Sequence, residues 1–581
     1  MSKYNKSPEI VINNHDNEAW KGYDEIVSTL YYKLKTISGK KILVIDCYPG
    51  VIYSEILQEL IRPLNPELLI HSDDLAFSGE HITKMIERNL TDDRVFGVLS
   101  SRTMDEFFDE EKVREAKEKI ENLQSGLVII YGVGATLIEQ PDLLVYADLA
   151  RWEIQQRYRA KSIGNWKMEN FEEDVLKKYK RGYFVEWRVA DRHKKGLYHQ
   201  IDFLLDTNEK NNPKMITGNA FLDGLHQAVK RPFRLVPYFD PGVWGGQWMK
   251  EKFGLERSAK NFAWSFDGVP EENSLYLTFG EVRVEVPSTN LIFNHPVELL
   301  GDRVHARFGT EFPIRFDFLD TMGGQNLSLQ VHPLTEYIQE KFGMHYTQDE
   351  SYYILDKEGD AVVYLGVKED ISPDEMMEDL RQAEKGLISF PDEKYINKFP
   401  AEKHDHFLIP AGTIHCSGEN TMVLEISATP YIFTFKLWDW DRLGLDGLPR
   451  PVHIDHGEKV IQWDRNTAWV KDNLINRFES IAEGDGWKEE RTGLHEREFI
   501  ETRRHWFSKK VIHETHGSVN VLNLVEGEEA IIESPTGEFE PFIVHYAETF
   551  IIPECIKEYS IRPYGESEGK LLATIKAFVR V

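Results

Sequence analysis

The stretch NLSLQVHPLTEYIQEKFGMHYTQDESYYIL, Asn326 to Leu355, decides how the larger part of this chain is read. Alternate side chains of a strand share a face, so Leu327, Leu329 and Val331 point one way while Ser328, Gln330 and His332 point the other. One face is apolar and the other carries ligating groups. A buried imidazole or carboxylate is costly unless it is paired or bound to a metal. Glu350 opens a second apolar strand, ESYYIL, eighteen residues after His332. Farther on, PAGTIH (Pro410 to His415) delivers another histidine just after a Pro-x-Gly turn. His332 alone would read as a hydrogen-bonded core histidine; three such residues on apolar strands read as a divalent-cation site, suited to zinc, manganese or iron. His404 and His406 in KHDHF form a weaker rival pair, because they lie in a polar segment ahead of their strand.

Around this core the chain changes texture. Before about residue 225, apolar runs alternate with helical patterns. KKILVID, ELLIHSDD, DRVFGVLS, SGLVIIYGVG and DLLVYADL read as strands, and YSEILQELIRPL and DEEKVREAKEKIENLQ as helices between them. That rhythm predicts an α/β domain with a parallel sheet over residues 1–225. Beyond it, short strands separated by Gly, Pro, Asn and Asp turns predict β-barrels. The polar segment VHIDHGEKVIQWDRNTAW splits these strands into two groups, residues 226–450 and 451–581. The expected fold is therefore multidomain: an α/β unit followed by two mostly β barrels.

The P-x-G-x-x-H pattern of PAGTIH resembles the second metal-binding motif of the cupin β-barrels. Taken together, LSLQVHP, ESYYILD, IPAGTIH, VLEI and LWDWDR resemble the type I mannose-6-phosphate isomerases in order and spacing. Upstream, PYFDPGVWGGQWM and FPIRFDFLD are similar to that family's opening segment and to the strand before its Q-x-H-P motif. The resemblance runs from about residue 230 to 581 and implies two cupin barrels. It implies one zinc ion per chain, held by His332, Glu350 and His415 with Gln330 as a fourth ligand. Arg442 and Glu425 would be the catalytic residues, Glu425 reading otherwise as a salt-bridged strand residue. Lys436, Arg315 and Gln348 would meet a sugar phosphate. The implied reaction interconverts an aldose phosphate and a ketose phosphate through an enediol. Two positions depart from the family pattern: Gln348 in YTQDE stands where a lysine is expected, and Asp317 in RFDFLD where a lysine is common. Losing one charge-assisted hydrogen bond to phosphate costs about 1.5–3 kcal/mol, which binding survives. Losing an acid or base would cost roughly 10²- to 10⁴-fold in rate. The alternative reading is a metal-binding sugar or sugar-phosphate sensor without turnover.

In the first domain, KILVIDCYPGVIYSEIL occupies the place of a phosphate-binding loop. Such a loop needs glycines so that backbone N–H groups can wrap phosphate, and a lysine to reach it. Here Cys47, Ile52 and Tyr53 stand at those positions. The segments LIHSDDLAF, VIIYGVGATLI and DLLVYADLARWEIQQRYRAK nonetheless resemble uridine-kinase-like P-loop proteins over about residues 25–200. That resemblance implies a degenerate, P-loop-like domain: either a regulatory nucleotide or sugar-phosphate pocket, in which Asp73 and Asp74 would bind magnesium and Arg151, Arg157 and Arg159 phosphate, or a docking or dimerisation platform. The basic run KKYKRGYFVEWRVADRHKKG reads as a solvated helix face rather than a nucleic-acid site.

Composition bounds the remaining choices. At 581 residues, 41% hydrophobic and 12% aromatic, the chain has material for several packed cores. Its formal net charge of −28 opposes nucleic acid and anionic membranes as partners, which leaves a small-molecule partner, and a homo-oligomer is compatible with it. The N-terminus lacks the apolar core of a signal peptide, and no apolar run reaches about 18 residues, so a cytoplasmic location is expected. Three widely separated cysteines, Cys47, Cys416 and Cys555, fit reduced thiols.

Overall fold

The apolar run Lys40–Cys47 forms the middle of a seven-stranded sheet, where a strand covered on both faces needs an unbroken Ile, Leu and Val sequence. The structure is a computed structural model and describes residues 3–493 and 495–581. In sheet order the strands are Ala19–Lys21, Lys214–Thr217, Phe203–Asp206, Leu143–Asp148, Lys40–Cys47, Gly126–Gly132 and Leu68–His71. The five from Phe203–Asp206 onward are parallel, and the first two add to one edge antiparallel. The crossover helix Glu110–Asn122 starts where the Asp109 carboxylate accepts from the Glu111 and Lys112 amides at 3.0 and 3.3 Å. DRVFGVLS is not a strand. Its backbone is tied down away from the sheet, Val98 N donating to Asn89 O and Ser100 N to Phe184 O, both at 2.8 Å.

Two compact units divide the chain. One is Glu9–Gln227 with Ser274–Asn294, and the other takes the residues up to Pro8, Ala228–Asn273 and His295–Val581. The hairpin Ser274–Phe279 and Val282–Pro287 therefore leaves the β region and joins the α/β unit, where Glu9–Ile12 pairs parallel with its first strand. A sequence reading in consecutive blocks has no means of placing it there, because SLYLTFGEVRVEVP reads as a hairpin in either unit.

In the α/β unit, strand order reverses about Lys40–Cys47, the place where such sheets hold ligands beyond their carboxyl ends. Here the chain's own side chains fill that ground. Asp46 accepts from Thr136 N at 2.9 Å, Thr136 Oγ1 at 2.6 Å and His193 Nε2 at 3.0 Å. Tyr53 accepts from Val133 N at 3.3 Å and packs edge-on against His71, while Trp166 Nε1 donates to Asp73 at 2.9 Å. Arg151 pairs with Asp191, and Arg157 donates to the Gly50 carbonyl at 2.9 Å and the Thr207 carbonyl at 2.5 Å. Arginines in the position to hold phosphate hold protein groups instead.

The second unit contains two double-sheet barrels. The first sets a six-stranded sheet, in order His406–Ile409, Asp349–Lys357, Thr421–Ala428, Ile314–Asp320, Trp264–Gly268 and Tyr238–Asp240, with a five-stranded one, Ile396–Pro400, Val362–Val367, His415–Ser417, Leu329–Val331 and Phe435–Trp438. The second sets Glu479–Gly484, Trp487–Gly493, Ile500–Phe507, Leu572–Val579, Asn520–Glu526 and Thr549–Ile552 with Val511–Glu514, Glu558–Pro563, Glu529–Glu533 and Phe542–His545. Helices Ile454–Val460 and Thr467–Asn473 lie in the polar segment that separates them in sequence. A buried arginine joins the barrels: Arg234 reaches Glu548 at 2.7 Å and Asp267 at 3.2 Å, and Tyr4 donates to the same Asp267 at 2.7 Å.

Removing one member of a buried charge cluster strands the others without compensation. Arg234→Ala is expected to cost about 3–5 kcal/mol in denaturant unfolding; a loss under about 1 kcal/mol would show that the cluster does not join the barrels. In the α/β unit, calorimetric titration with ATP and magnesium is expected to show no binding tighter than about 1 mM. A micromolar constant abolished by Asp74→Ala would restore a nucleotide site there.

Candidate metal centre

Strand register builds the site between the two sheets of the first barrel. On the five-stranded sheet, Gln330 lies opposite both His415 and Lys436, so these three share a face, and His332, two residues on from Gln330, shares it too. On the six-stranded sheet, Glu350 and Arg315 both lie opposite Ser427, and in the next row Tyr352 and Asp317 both lie opposite Glu425. The turn that delivers His415 depends on Gly412, whose φ of +87° and close approach to Gln462 and the Val460 carbonyl exclude a side chain. Asp349 holds that turn by accepting from Ala411 N at 2.7 Å.

His332, Glu350 and His415 come together, all buried, as a group that could hold a metal ion. His332 Nε2 lies 3.1 Å from Glu350 Oε2, and His415 Nε2 lies 2.8 Å from Glu350 Oε1. The outer nitrogens settle the tautomers. His332 Nδ1 is 2.9 Å from the Phe433 carbonyl and His415 Nδ1 is 2.9 Å from the Thr413 carbonyl, and a carbonyl only accepts. Both Nδ1 atoms therefore carry a proton, and each ring turns its Nε2 toward the Glu350 carboxylate. Lone pairs facing an anion in a buried site need either two protons or a cation, and backbone-anchored imidazoles are the usual outer support of a metal centre. The Gln330 amide, 3.2 Å from His415 Nε2, can turn its oxygen to the same point. The residues thus fit a divalent cation. Burial alone would raise the Glu350 carboxyl, but His332 and His415 outweigh it and hold it well below the usual carboxylate range. Burial opposes the charged form of His332, yet Glu350 outweighs it and raises that pKa.

The other expected site residues surround this group. Gln348 is buried as a bridge: its amide nitrogen donates to Glu350 at 2.9 Å, Glu425 at 3.1 Å and Ser427 at 3.2 Å, and its oxygen accepts from Phe433 N at 3.0 Å. Glu425 also accepts from Ser427 Oγ at 2.9 Å. Burial, then Asp317 and Glu350, push the Glu425 carboxyl well above its usual range. Burial also drives Asp317 up to about 7, Arg315 pulling against it and Glu350 adding to it. Arg315 is buried beside them with Nε and Nη2 unpartnered. Lys436 is half-buried, and burial with the nearby Arg450 and Arg442 drives its pKa down to about 7. Arg442 is bound to Asp439 and donates to the Asn326 carbonyl at 2.7 Å, so its guanidinium is already engaged. Asp439 also receives Arg450 at 2.6 Å. Sequence reasoning passed over Asp349, Asp439 and Arg450; the adjacent acids in QDE and the first acid of WDWD were the signals available. The rival pair separates: His404 goes to Tyr353 and Glu526, and His406 is buried with its pKa pushed down to about 3 by burial and Arg504.

Fold and site together define a two-barrel protein with a buried His–Glu–His cluster inside the first barrel. Over part of its length it is similar to mannose-6-phosphate isomerases. One from Streptococcus mutans is 27% identical over 236 residues, 40% of this chain and 68% of that protein. The crystal structure of the Bacillus subtilis enzyme covers 60% of this chain and 99% of its own at 17% identity and a TM-score of 0.49. A mannose 6-phosphate isomerase structure bound with zinc and yttrium covers the same 60% of this chain and 99% of its own at 14% identity and a TM-score of 0.45. Residues 22–230 match a family model described as "Domain of unknown function (DUF8485)". The uridine-kinase likeness expected for this region is thereby left without support. No helix among the described residues is long and apolar enough to cross a membrane.

His332→Ala and His415→Ala are each expected to release most of the bound divalent metal from purified protein, read by elemental analysis. Each should also lower the unfolding temperature, since metal binding is coupled to the folded ligand geometry. Full occupancy in both variants would remove these residues from the metal centre.

Proposed function

We propose that the protein is a zinc-dependent aldose–ketose isomerase acting on a sugar phosphate of the mannose 6-phosphate type, with one zinc per chain. The observation that carries this reading is the buried His332–Glu350–His415 cluster, its lone pairs converging between two anchored imidazoles. The similarity to mannose-6-phosphate isomerases, one of them bound with zinc, supports the choice of metal and reaction. Bound there by His332, Glu350, His415 and Gln330, zinc would act as a Lewis acid toward carbonyl and hydroxyl oxygens.

The chain's own residues supply the rest. Glu425 and Asp317, opposite each other across neighbouring strands, are like charges in a buried site and tend to share a proton. Such a pair can take the proton from the carbon next to the sugar's carbonyl, which gives the enediol, and return it to the neighbouring carbon, with Glu425 the nearer to the metal ligands through Gln348. Gln348 in place of a lysine holds Glu350 and Glu425 by neutral hydrogen bonds and leaves the phosphate to cations elsewhere. Lys436, whose Nζ has no partner among the described residues, is the free cation on the ligand face, with Arg442 and Arg450 behind it and Arg315 on the opposite sheet. The formal charge of −28 supports a small molecule as the partner rather than nucleic acid or an anionic membrane.

A coupled assay with zinc-loaded full-length protein is expected to show interconversion of mannose 6-phosphate and fructose 6-phosphate. Glu425→Gln should lower kcat roughly 10²-fold or more with the metal retained. Sugar-phosphate binding without any turnover would replace this reading with that of a sensor built on the same pocket.

A further inference from the structure

The second barrel has a polar interior that its fold does not account for. On Leu572–Val579, the side chains of Thr574 and Lys576 share the face that Leu572 buries in the apolar core. Across the ladder, Thr574 lies opposite His505 and Lys576 opposite Arg503, so His505 points inward with Phe507. His513 points inward with Val511 from the facing sheet, its ring stacked 5.2 Å from Tyr559. Four polar groups thus meet above an apolar floor. The His505 and His513 rings lie 4.3 Å apart without a hydrogen bond between them. His505 Nδ1, His513 Nε2 and Thr574 Oγ1 are buried and have no partner. Lys576, 1% exposed, makes no hydrogen bond or ion pair among the described residues; its ammonium lies 5.4 Å from the Phe578 ring, and Glu489, Glu501 and Glu514 act on it only through space.

Buried polar groups are almost always satisfied, and a set of unsatisfied ones in one place marks a ligand or ion. The unused valences say which kind. A buried ammonium calls for an anion and disfavours a divalent cation beside it. Glu489 lies 3.0 Å from His505 Nε2 and, being a carboxylate, accepts a hydrogen bond from the N–H of that nitrogen. Burial keeps His505 neutral, its pKa pushed down to about 4, so its Nδ1 is a lone pair that needs a donor. Thr574 and His513 can each donate to an oxygen. Arg503 is already committed to Glu489 at 3.0 Å and Glu501 at 2.5 Å.

We propose that the interior of the second barrel is a binding site, separate from the metal centre, for a small oxyanion that carries a hydroxyl. Its charged oxygens would meet Lys576, Thr574 and His513, and its hydroxyl would donate to His505 Nδ1. Hydrogen phosphate is the simplest molecule of this class, and a phosphorylated or carboxylated hydroxy compound presents the same groups.

Calorimetric titration of the full-length protein with inorganic phosphate tests this. A saturable site is expected that His332→Ala leaves in place and Lys576→Met weakens at least about tenfold, the effect of losing one charge-assisted hydrogen bond. Thr574→Val, which keeps shape and charge, should weaken it severalfold and guards against misfolding of the lysine variant. Sulfate, which has no hydroxyl at neutral pH, should bind at least about tenfold more weakly than phosphate. Glycolate binding competitively with phosphate would point to a hydroxy acid as the source of the same chemistry. The proposal is overturned if wild-type protein shows no phosphate site up to about 10 mM, if Lys576→Met and Thr574→Val bind as wild type does, or if sulfate binds as well as phosphate.

Discussion

The carboxylate of Glu350 is the group around which the first barrel is arranged. Placing it between two sheets removes it from water, a cost of several kcal/mol that one hydrogen bond does not offset. Two imidazoles, the Gln348 amide and the fit to a cation together supply the compensation. Each compensating group must itself be held. The Phe433 and Thr413 carbonyls fix the rings, Phe433 N fixes Gln348, and Asp349 fixes the turn that carries His415. Backbone from both sheets is therefore committed to one carboxylate.

That arrangement leaves Glu425 and Asp317 in an unusual state. Their neighbours on the strands are apolar or acidic, and the cation nearest them by register, Arg315, offsets only part of their burial. Two buried carboxyl groups with raised pKa values are suited to exchange a proton near neutral pH, whereas isolated surface acids are not. Gln348 acts in the same direction: its amide donates to Glu425 without bringing a positive charge that would favour the ionised forms of the two acids.

The α/β unit shows the opposite solution at its sheet's carboxyl edge. There Asp46 is paired with Thr136 and His193, Arg157 with three carbonyls and Arg151 with Asp191. A satisfied cluster of this kind stabilises its own fold and has little left to offer a phosphate. The contrast with the interior of the second barrel is one of valence: Asp46, Arg151 and Arg157 are spent on the chain itself, whereas His505, His513 and Thr574 each keep an atom without a partner among the described residues.

Much of the first barrel's site was legible in the chain itself. A period-two alternation puts Gln330 and His332 on one face, and a Pro-x-Gly turn before His415 announces a sharp delivery, because both signals arise from local backbone geometry. The same holds for Lys40–Cys47, whose unbroken apolar run can only be a covered strand or part of a helix. What depended on tertiary structure is everything carried by register between distant strands. That Glu425 faces Asp317, that Gln348 bridges two carboxylates, that His404 and His406 part company, and that the hairpin Ser274–Phe279 and Val282–Pro287 joins the α/β unit are outcomes of pairing across tens to hundreds of residues. His505, His513, Thr574 and Lys576 show the limit most plainly. They lie on three strands with no shared motif, and only closure of the barrel brings their unused hydrogen-bonding atoms into one space.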